Sequence, residues 1–194
     1  RDVLGSRGLG DVYKRQEIEA ALQEHRIDLG LVEGICRLPN LRYTTFLQDE
    51  LVAVVHTGSK LSLPDEITPE DLSRIPLVLR ERGSGTLDVF ERALSEHNMK
   101  LSSLNVLLYL GSTESIKLFL EHTDCIGIVS IRSISRELLS GTFRVIEIKG
   151  MPMLREFCFA QPQGQESGLS QVLMQFAMPV SYTHLRAHET LRHL

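Results

Sequence analysis

Three short turns rich in serine, threonine and glycine carry the residue types best suited to holding a small ligand. They are Gly83-Ser84-Gly85-Thr86, Gly111-Ser112-Thr113-Glu114 and Ser130. Each lies between a predicted strand and a predicted helix, where backbone N–H groups lack helical partners and the helix dipole favours an anion. Hydroxyl groups there can donate or accept hydrogen bonds, so the turns predict a site for a carboxylate, sulfate or phosphate. The same residues are also good helix caps, which is the structural alternative.

No pattern in the sequence demands catalysis. Gly83-Ser84-Gly85 lacks the lysine and spacing of a P-loop and the G-x-G-x-x-G pattern of dinucleotide sites, and there is no G-x-S-x-G nucleophile elbow. Arg80, which precedes this loop, could direct its guanidinium at a bound carboxylate. Four histidines lack a neighbouring acid or nucleophile and are interpreted as surface or packed residues: His25, His56, His97 and His122. We therefore predict neither an enzyme nor a cofactor.

Cysteines and histidines do not form a metal motif. Cys36, Cys125 and Cys158 are widely spaced and odd in number, which favours free thiols in a reducing cytoplasm over a disulfide or a metal site. Three histidines near the end of the chain have loosely metal-like spacing, but a polar tail is the better interpretation: His184, His188 and His193. We expect no metal site.

Composition excludes two classes of partner for the chain itself. Hydrophobic residues make up 42% and charged residues 24% of the 194 positions, as in ordinary globular domains. The net charge is −4, and a domain that grips DNA normally presents a basic face. If the protein acts on DNA, another segment makes the contact. No apolar run is long enough to span a bilayer, so we expect no membrane partner.

The two ends of the chain look foreign to the domain between them. Residues 1–16 are rich in glycine and arginine and have neither helical nor strand periodicity. Residues 178–194 have no pattern of packed residues. Both segments resemble translated adapter sequence, and we exclude them from the prediction of the fold.

Between these ends, short apolar runs alternate with amphipathic stretches, which predicts an α/β fold with a mainly parallel sheet. Helices are expected at 17–24, from 69 to just before Pro76, from the Gly83–Thr86 loop to about 98, at 114–122 and from 131 to Gly141. A final helix is expected at the end, where Leu169, Val172, Leu173 and Phe176 share one side. Strands are expected at 27–32, 51–55, 77–79, 106–110, 126–129, 143–148 and 157–159.

The order of short motifs resembles that of LysR-type transcriptional regulators over about 160 residues. The stretch Ile27-Asp28-Leu29-Gly30-Leu31-Val32-Glu33-Gly34 matches the family's D-L-G-L-V-E pattern. Further matching segments follow in the family's order: 49–52, 71–72, 75–78, 80–86, 111–117, 127–130, 137–141 and 155–157. The Gly-Ser-Gly-Thr loop is similar to that of the branch containing regulators of cysteine biosynthesis and carbon fixation.

The resemblance implies two Rossmann-like lobes joined by crossover strands, as in type 2 periplasmic binding proteins. It places lobe I at 17–56 and 149–177 and lobe II at 57–148, with crossovers near Val55-His56 and Ile146–Lys149. Members of the family carry a winged helix-turn-helix, a linker helix and an opening strand and helix of the first lobe. All of these are missing from this sequence, so the first lobe is expected to be truncated.

Function follows from the resemblance in the same way. It implies an effector-binding domain that holds a small, anionic metabolite between its lobes, in a cytoplasmic homodimer or homotetramer that binds promoter DNA only through the missing N-terminal domain. The implied ligand-binding residues are Ser84, Gly85, Thr86, Ser112, Thr113 and Ser130 from the second lobe and Val32 and Glu33 from the first.

Two other functions remain open on the sequence alone. A periplasmic solute-binding protein has the same architecture but requires a secretory leader, and free cysteines argue mildly against it. An enzyme on this scaffold requires a converging acid–base pair, which the sequence does not show.

Overall fold

The computed structural model describes residues 15–33, 38–164 and 168–178 and divides them into two compact units. Unit 1 contains residues up to Gln48 and those from Arg155 onward, and unit 2 contains Asp49–Leu154. These units meet at 48/49 and 154/155, and Leu51, Ala53, Met151 and Met153 belong to a core cluster of unit 2. The lobe boundaries that the resemblance implies, 56/57 and 148/149, stay a prediction.

Unit 1 combines helices with three neighbouring strands. Its elements are α1 (Arg15–Gln23), β1 (Gly30–Glu33), residues 41–48 of β2 (Leu41–His56), residues 155–162 of β8 (Met153–Pro162) and helical residues 168–178, here α5. The strand order is β1–β8–β2, and β1 pairs antiparallel with β8, with Val32 opposite Cys158. The core is small and contains Leu22, Val32, Leu41, Cys158 and Ala160.

Helix α5 forms as predicted, but its apolar side faces outward. Leu169, Val172, Leu173 and Phe176 are 76%, 62%, 53% and 76% exposed, whereas Ser170 is only 5% exposed. Periodicity identifies residues that share one side of a helix, but it does not show what covers that side. The expectation that this side closes the domain is therefore not met by the described residues.

Unit 2 is an α/β unit built around parallel strands. Its strands are residues 49–56 of β2, β3 (Glu66–Ile67), β4 (Leu77–Arg80), β5 (Val106–Leu110), β6 (Ile126–Ser130) and β7 (Phe143–Ile148). Its α-helices are α2 (Gly85–Glu96), α3 (Thr113–His122) and α4 (Ser135–Leu139), and 3-10 helices cover Pro69–Ser73, Leu101–Ser103 and Ile131–Ile134.

The strands of unit 2 form a mixed sheet. β4 lies between β5 and β6 and is parallel to both, and β3 is parallel to β7. β2 is antiparallel to both β6 and β7, with Leu51 opposite Ser130. The α/β class is confirmed, and the antiparallel pairings of β2 are a feature that the sequence did not predict.

Alternating side chains along the strands fill two cores in unit 2. Leu77 and Leu79 of β4 belong to the same cluster as Phe90 of α2, and all three are almost fully buried. Val78, between them in the chain, belongs to a second cluster with Ile116 of α3. The alternation is what a sheet covered on both faces requires.

Local signals set the helix ends where the sequence placed them. Thr68 precedes the 3-10 helix Pro69–Ser73, and its backbone N–H and its hydroxyl each donate to Asp71 Oδ2 at 2.9 Å. Gly141, after α4, has φ +71°, a conformation that favours glycine, and its N–H donates to the carbonyl of Leu138. Across the described residues, no helix is both long and apolar enough to cross a membrane.

Candidate functional site

The three polar turns lie at one edge of the unit 2 sheet. β6, β4 and β5 are neighbours and run parallel, so their carboxyl ends share an edge, and adjacent strands are about 4.8 Å apart. Ser130 ends β6, the turn at 81–84 follows β4, and the turn at 111–112 follows β5. Unit 2 by itself therefore brings together Ser84, Gly85, Thr86, Ser112, Thr113 and Ser130.

The turn before α2 combines a capping hydroxyl with exposed main chain. Gly83 has φ +87°, and Ser84 caps the helix by accepting a hydrogen bond from the N–H of Leu87 at 3.2 Å. As an acceptor, the Ser84 hydroxyl retains its proton for donation to a ligand. Gly85 and Thr86 contribute first-turn N–H groups without helical acceptors. The side chain of Thr86 is buried, so this residue can offer a ligand its main chain only.

The turn before α3 repeats this arrangement. Ser112 Oγ accepts from the N–H of Ser115 at 3.1 Å and lies 2.8 Å from Ser115 Oγ, so the two hydroxyls share a hydrogen bond. Ser112 and Ser115 are exposed, and Thr113 is half-buried. One hydroxyl of the pair and the first-turn N–H groups of α3 can therefore donate to an anion.

The third turn differs from the other two. The Ser130 hydroxyl donates to Asp49 Oδ1 at 2.8 Å and accepts from the N–H of Arg132 at 3.2 Å. Its proton is committed to Asp49, and the 3-10 helix it caps has only four residues, Ile131–Ile134. The Ser130 hydroxyl is therefore poorly placed to donate to an anion. Its two hydrogen bonds instead stabilise this edge of the sheet.

Asp49 and Arg132 are neighbours of this turn that the sequence analysis missed. Asp49 is 4% exposed, and its Oδ1 lies 3.7 Å from Arg132 Nε. A carboxylate at the start of a buried strand was the one signal that could have found this pair, because a buried acid requires a hydrogen-bond donor or a cation.

Val32 and Glu33 lie in unit 1 and play different parts there. Val32 is 3% exposed within the core, so only its main chain can face a ligand. Glu33 Oε1 accepts from Arg155 Nη1 at 3.2 Å, and the guanidinium of Arg155 lies 5.0 Å from the ring centre of Phe157. The assignment of Val32 and Glu33 to the ligand site stays a prediction.

Arg80 connects two of the turns. Its Nε and Nη2 donate to the two carboxylate oxygens of Glu81 at 3.0 and 2.9 Å, and Nη2 also donates to the carbonyl of Gly111 at 3.2 Å. The hydrogen bonds from Arg80 hold the pKa of Glu81 below its ordinary value, against the opposing effect of burial. The charge of Arg80 is therefore largely balanced before any ligand arrives.

Lys117 joins α3 to α4. Its Nζ lies 2.9 Å from Glu114 Oε1 and 2.9 Å from Glu137 Oε1. Partial burial by itself lowers the pKa of Lys117, but the hydrogen bonds to Glu114 and Glu137 outweigh that effect and raise it. The ion pair holds α3, whose start carries the second turn, in a fixed position.

A cavity of about 180 Å³ lies beside the same sheet edge. It occupies the gap where β2 and β7 diverge, and Leu51, one of its lining residues, is the pairing partner of Ser130. Glu50 and Glu147 are the acidic residues among those that line it. The sequence did not predict this cavity, because it depends on the divergence of two strands distant in the chain.

Neither of the two cysteines in the described part of the chain belongs to the three turns. Cys125 and Cys158 are free and buried, and burial raises the pKa of the Cys125 thiol to about 11, aided by the charge of Asp124. Among the described residues, no group of histidine, cysteine, aspartate and glutamate could hold a metal ion. Cys36, His184, His188 and His193 lie outside the described residues.

The chain is similar in sequence to bacterial transcription regulators. Residues 11–180 match the family model described as LysR substrate binding domain. The chain is 32% identical over 137 residues to the HTH-type transcriptional regulator YeiE of Escherichia coli K12, covering 71% of this chain and 45% of that protein. It is 27% identical over 171 residues to the RuBisCO operon transcriptional regulator of Acidithiobacillus ferrooxidans, covering 88% and 54%. It thus spans about half the length of these relatives.

Solved structures of similar fold include regulatory domains. The CcmR regulatory domain of Synechocystis PCC6803 in complex with 2-PG has a TM-score of 0.69 and 25% identity, over 85% of this chain and 78% of that one. The effector-binding domain of QuiR in complex with shikimate has a TM-score of 0.66 over 89% and 80%. At 18% identity, the second likeness concerns the fold alone.

Proposed function

The chain belongs to the family of LysR substrate-binding domains, and on that premise we propose that it senses a small anionic metabolite for a DNA-binding transcription regulator. Its fold is the type 2 periplasmic-binding-protein-like fold of LysR regulatory domains. A periplasmic solute-binding protein is the weaker alternative, because the two relatives described above are transcription regulators.

The observation that carries this proposal is the row of hydrogen-bond donors at one sheet edge of unit 2. The Ser84 hydroxyl, the first-turn N–H groups of α2 and α3, and a hydroxyl of the Ser112–Ser115 pair all belong to turns after neighbouring parallel strands. Each helix start stabilises an anion by about 0.3–1 kcal/mol when exposed, and hydrogen bonds to a charged group add about 1.5–3 kcal/mol each. Several such donors give useful affinity for one carboxylate or phosphate.

We rank the proposed contacts by the hydrogen-bond donors that each residue can offer. Ser84, Gly85, Thr86, Ser112 and Thr113 supply hydroxyl or main-chain donors, and we assign the anionic group of the ligand to them. Ser130 supports the edge through Asp49. Val32, through its main chain, and Glu33 remain proposed contacts from unit 1.

We further propose the setting in which this sensing occurs. The intact regulator is proposed to act in the cytoplasm as a homodimer or homotetramer and to reach promoter DNA through a domain outside this chain. A ligand that prefers one arrangement of the regulator shifts the population toward it. No catalytic step is assigned to the chain.

Ligand titration of variants that carry an added negative charge in one of the turns tests the proposal. 2-PG is the first probe, since the CcmR regulatory domain holds it, and inorganic phosphate is the second. Ser84→Asp and Ser112→Asp keep good helix caps but place a negative charge where the ligand anion is proposed to sit. Titration calorimetry is expected to show at least tenfold weaker 2-PG binding for either variant, with a nearly unchanged thermal midpoint.

Ser102→Asp is the matched control, because Ser102 is exposed on the 3-10 helix that precedes β5, at the opposite end of that strand. It adds the same charge and is expected to bind 2-PG nearly as well as the wild type. Equal affinity in all four proteins, or binding of neither probe by the wild type, contradicts the proposed site.

A further inference from the structure

Arg80 makes a link between the two ligand-binding turns that neither turn makes by itself. It is the last residue of β4, its side chain is 21% exposed, and it reaches across to the carbonyl of Gly111 after β5. Gly111 immediately precedes Ser112, the cap of α3. One guanidinium group therefore touches the turn after β4, through Glu81, and the turn after β5.

Backbone hydrogen bonds extend this link on both sides. The N–H of Glu81 donates to the carbonyl of Leu110 at 3.1 Å, and the N–H of Ser84 donates to the carbonyl of Glu81 at 3.3 Å. A continuous series of contacts thus runs from Ser84 through Glu81 and Arg80 to Gly111. Displacing any member moves one capping serine relative to the other.

We propose that Arg80 is a positioning residue that fixes the distance between the Ser84 turn and the Ser112 turn, so that both bind the same anion. The proposal rests on the proposed function above. Glu81 and the carbonyl of Gly111 accept from the Nε and Nη2 of Arg80, so these two nitrogens act on the turns rather than on the anion. Its effect on the ligand passes through the main chain of Gly111.

The planar guanidinium suits this task better than an ammonium group. Its N–H groups have fixed directions, so it can bind both oxygens of Glu81 and still aim at a carbonyl on the next strand. Lysine keeps the charge but loses the fixed geometry, and methionine keeps much of the length but loses charge and donors. Comparing arginine, lysine and methionine at position 80 therefore separates the effect of hydrogen-bond geometry from that of charge.

A double-mutant cycle measures whether Arg80 couples the turns. In the wild-type background, Ser84→Ala and Ser112→Ala are expected to weaken 2-PG binding non-additively, because one bound anion spans both turns. In Arg80→Met, 2-PG affinity is expected to fall about tenfold and the non-additivity to disappear. Arg80→Lys is expected to recover less than half of the lost coupling.

Arg144→Met is the control for the loss of a structural arginine. Arg144 lies in β7, and its guanidinium also binds a carboxylate, Asp65, and a main-chain carbonyl, that of Leu63, in the same unit. This variant is expected to lower the thermal midpoint while the coupling between Ser84 and Ser112 stays at the wild-type value. A role of Arg80 in stability alone predicts the same pattern for Arg80→Met.

The outcomes separate this proposal from the one on which it rests. Loss of 2-PG binding in Ser84→Asp, with wild-type affinity and coupling in Arg80→Met, overturns the role of Arg80 and leaves the proposed site intact. Failure of the wild type to bind 2-PG and phosphate overturns both. Amide NMR spectra add a direct readout: 2-PG is expected to shift Gly85 and Thr113 together in the wild type, but not in Arg80→Met.

Discussion

The two units of the chain contain similar elements but bury them to different extents. Unit 2 packs helices against its sheet around two core clusters, and Phe90 in one of them is completely buried. Unit 1 has one small cluster, and its helix α5 leaves Phe176 76% exposed. The donors proposed to bind the anionic group of a ligand lie in turns of the better-packed unit. Hydrogen-bond donors act best when their positions are fixed in advance, and unit 2 supplies the packing that fixes them.

The largest expected difference between the units comes from removing one phenylalanine ring from each. Phe90→Ala leaves a cavity in the core of unit 2 and is expected to lower the free energy of unfolding by about 3–5 kcal/mol. Phe176→Ala removes the same ring from an exposed site in unit 1 and is expected to change it by less than about 0.5 kcal/mol. Urea denaturation followed by circular dichroism measures both.

A comparable loss of unfolding free energy in Phe90→Ala and Phe176→Ala contradicts the difference in burial between the units, because it means that Phe176 is buried in the protein in solution. Analytical ultracentrifugation of Phe176→Ala then shows whether a second copy provides that burial.

A smaller effect is expected from one partly buried ion pair in each unit. Lys117→Met in unit 2 leaves Glu137 without its cation, and Arg155→Met in unit 1 does the same to Glu33. Exposure of the four side chains is similar, at 12% and 23% for the first pair and 13% and 25% for the second. Each variant is expected to lose about 1–3 kcal/mol, measured by urea denaturation.

Lys149→Met is the control for this pair of variants, because Lys149 and its partner Glu66 are 70% and 60% exposed, and exposed pairs contribute little. Equal losses of unfolding free energy in Lys117→Met and Arg155→Met sharpen the comparison, because they attribute the difference in stability between the two units to apolar packing. A loss confined to unit 2 extends the difference to electrostatics.

The smallest effect is expected from acid. Partial burial raises the pKa of Glu137, but hydrogen bonding to Lys117 outweighs it, and the pKa of Glu81 is also lowered. A carboxyl group whose pKa is lower in the folded protein stabilises the fold above its ordinary pKa, about 4.3, and loses this contribution as the pH falls through the folded value. The urea midpoint is therefore expected to fall below about pH 4.5.

Glu137→Gln removes one of these groups, so its urea midpoint is expected to depend less on pH than that of the wild type. An identical pH profile for the two proteins shows that Glu137 has the same pKa in the folded and unfolded chain.

The sequence predicted the elements of unit 2 well because their signals are local. Apolar runs marked β4 and β6, and Ser84, Ser112 and Ser130 each cap the helix that follows, as their positions predict. The position of their turns at one edge of the sheet was predicted from the rule that the carboxyl ends of parallel strands share an edge, not from any single residue.

Features formed by distant residues were not predictable in this way. β2 begins at Leu41, ten residues before the apolar run that marked it. Its first half was not predicted because polar residues such as Arg42 and Gln48 interrupt the apolar pattern there. Arg155 meets Glu33 across 122 positions, and Asp49 meets Ser130 across 81. Such contacts depend on strand pairing, which hydrophobic periodicity does not encode.

Each unit contains a buried thiol that can report on that unit by itself. Cys125 lies in a core of unit 2 and Cys158 in the core of unit 1, and both are at most 1% exposed. Cys125 is 0% exposed, so an alkylating reagent reaches it only when the structure around it opens, and its pKa of about 11 keeps the buried thiol almost entirely protonated at neutral pH. In a Cys36→Ser background, the labelling rates of the two cysteines thus measure local opening separately in each unit.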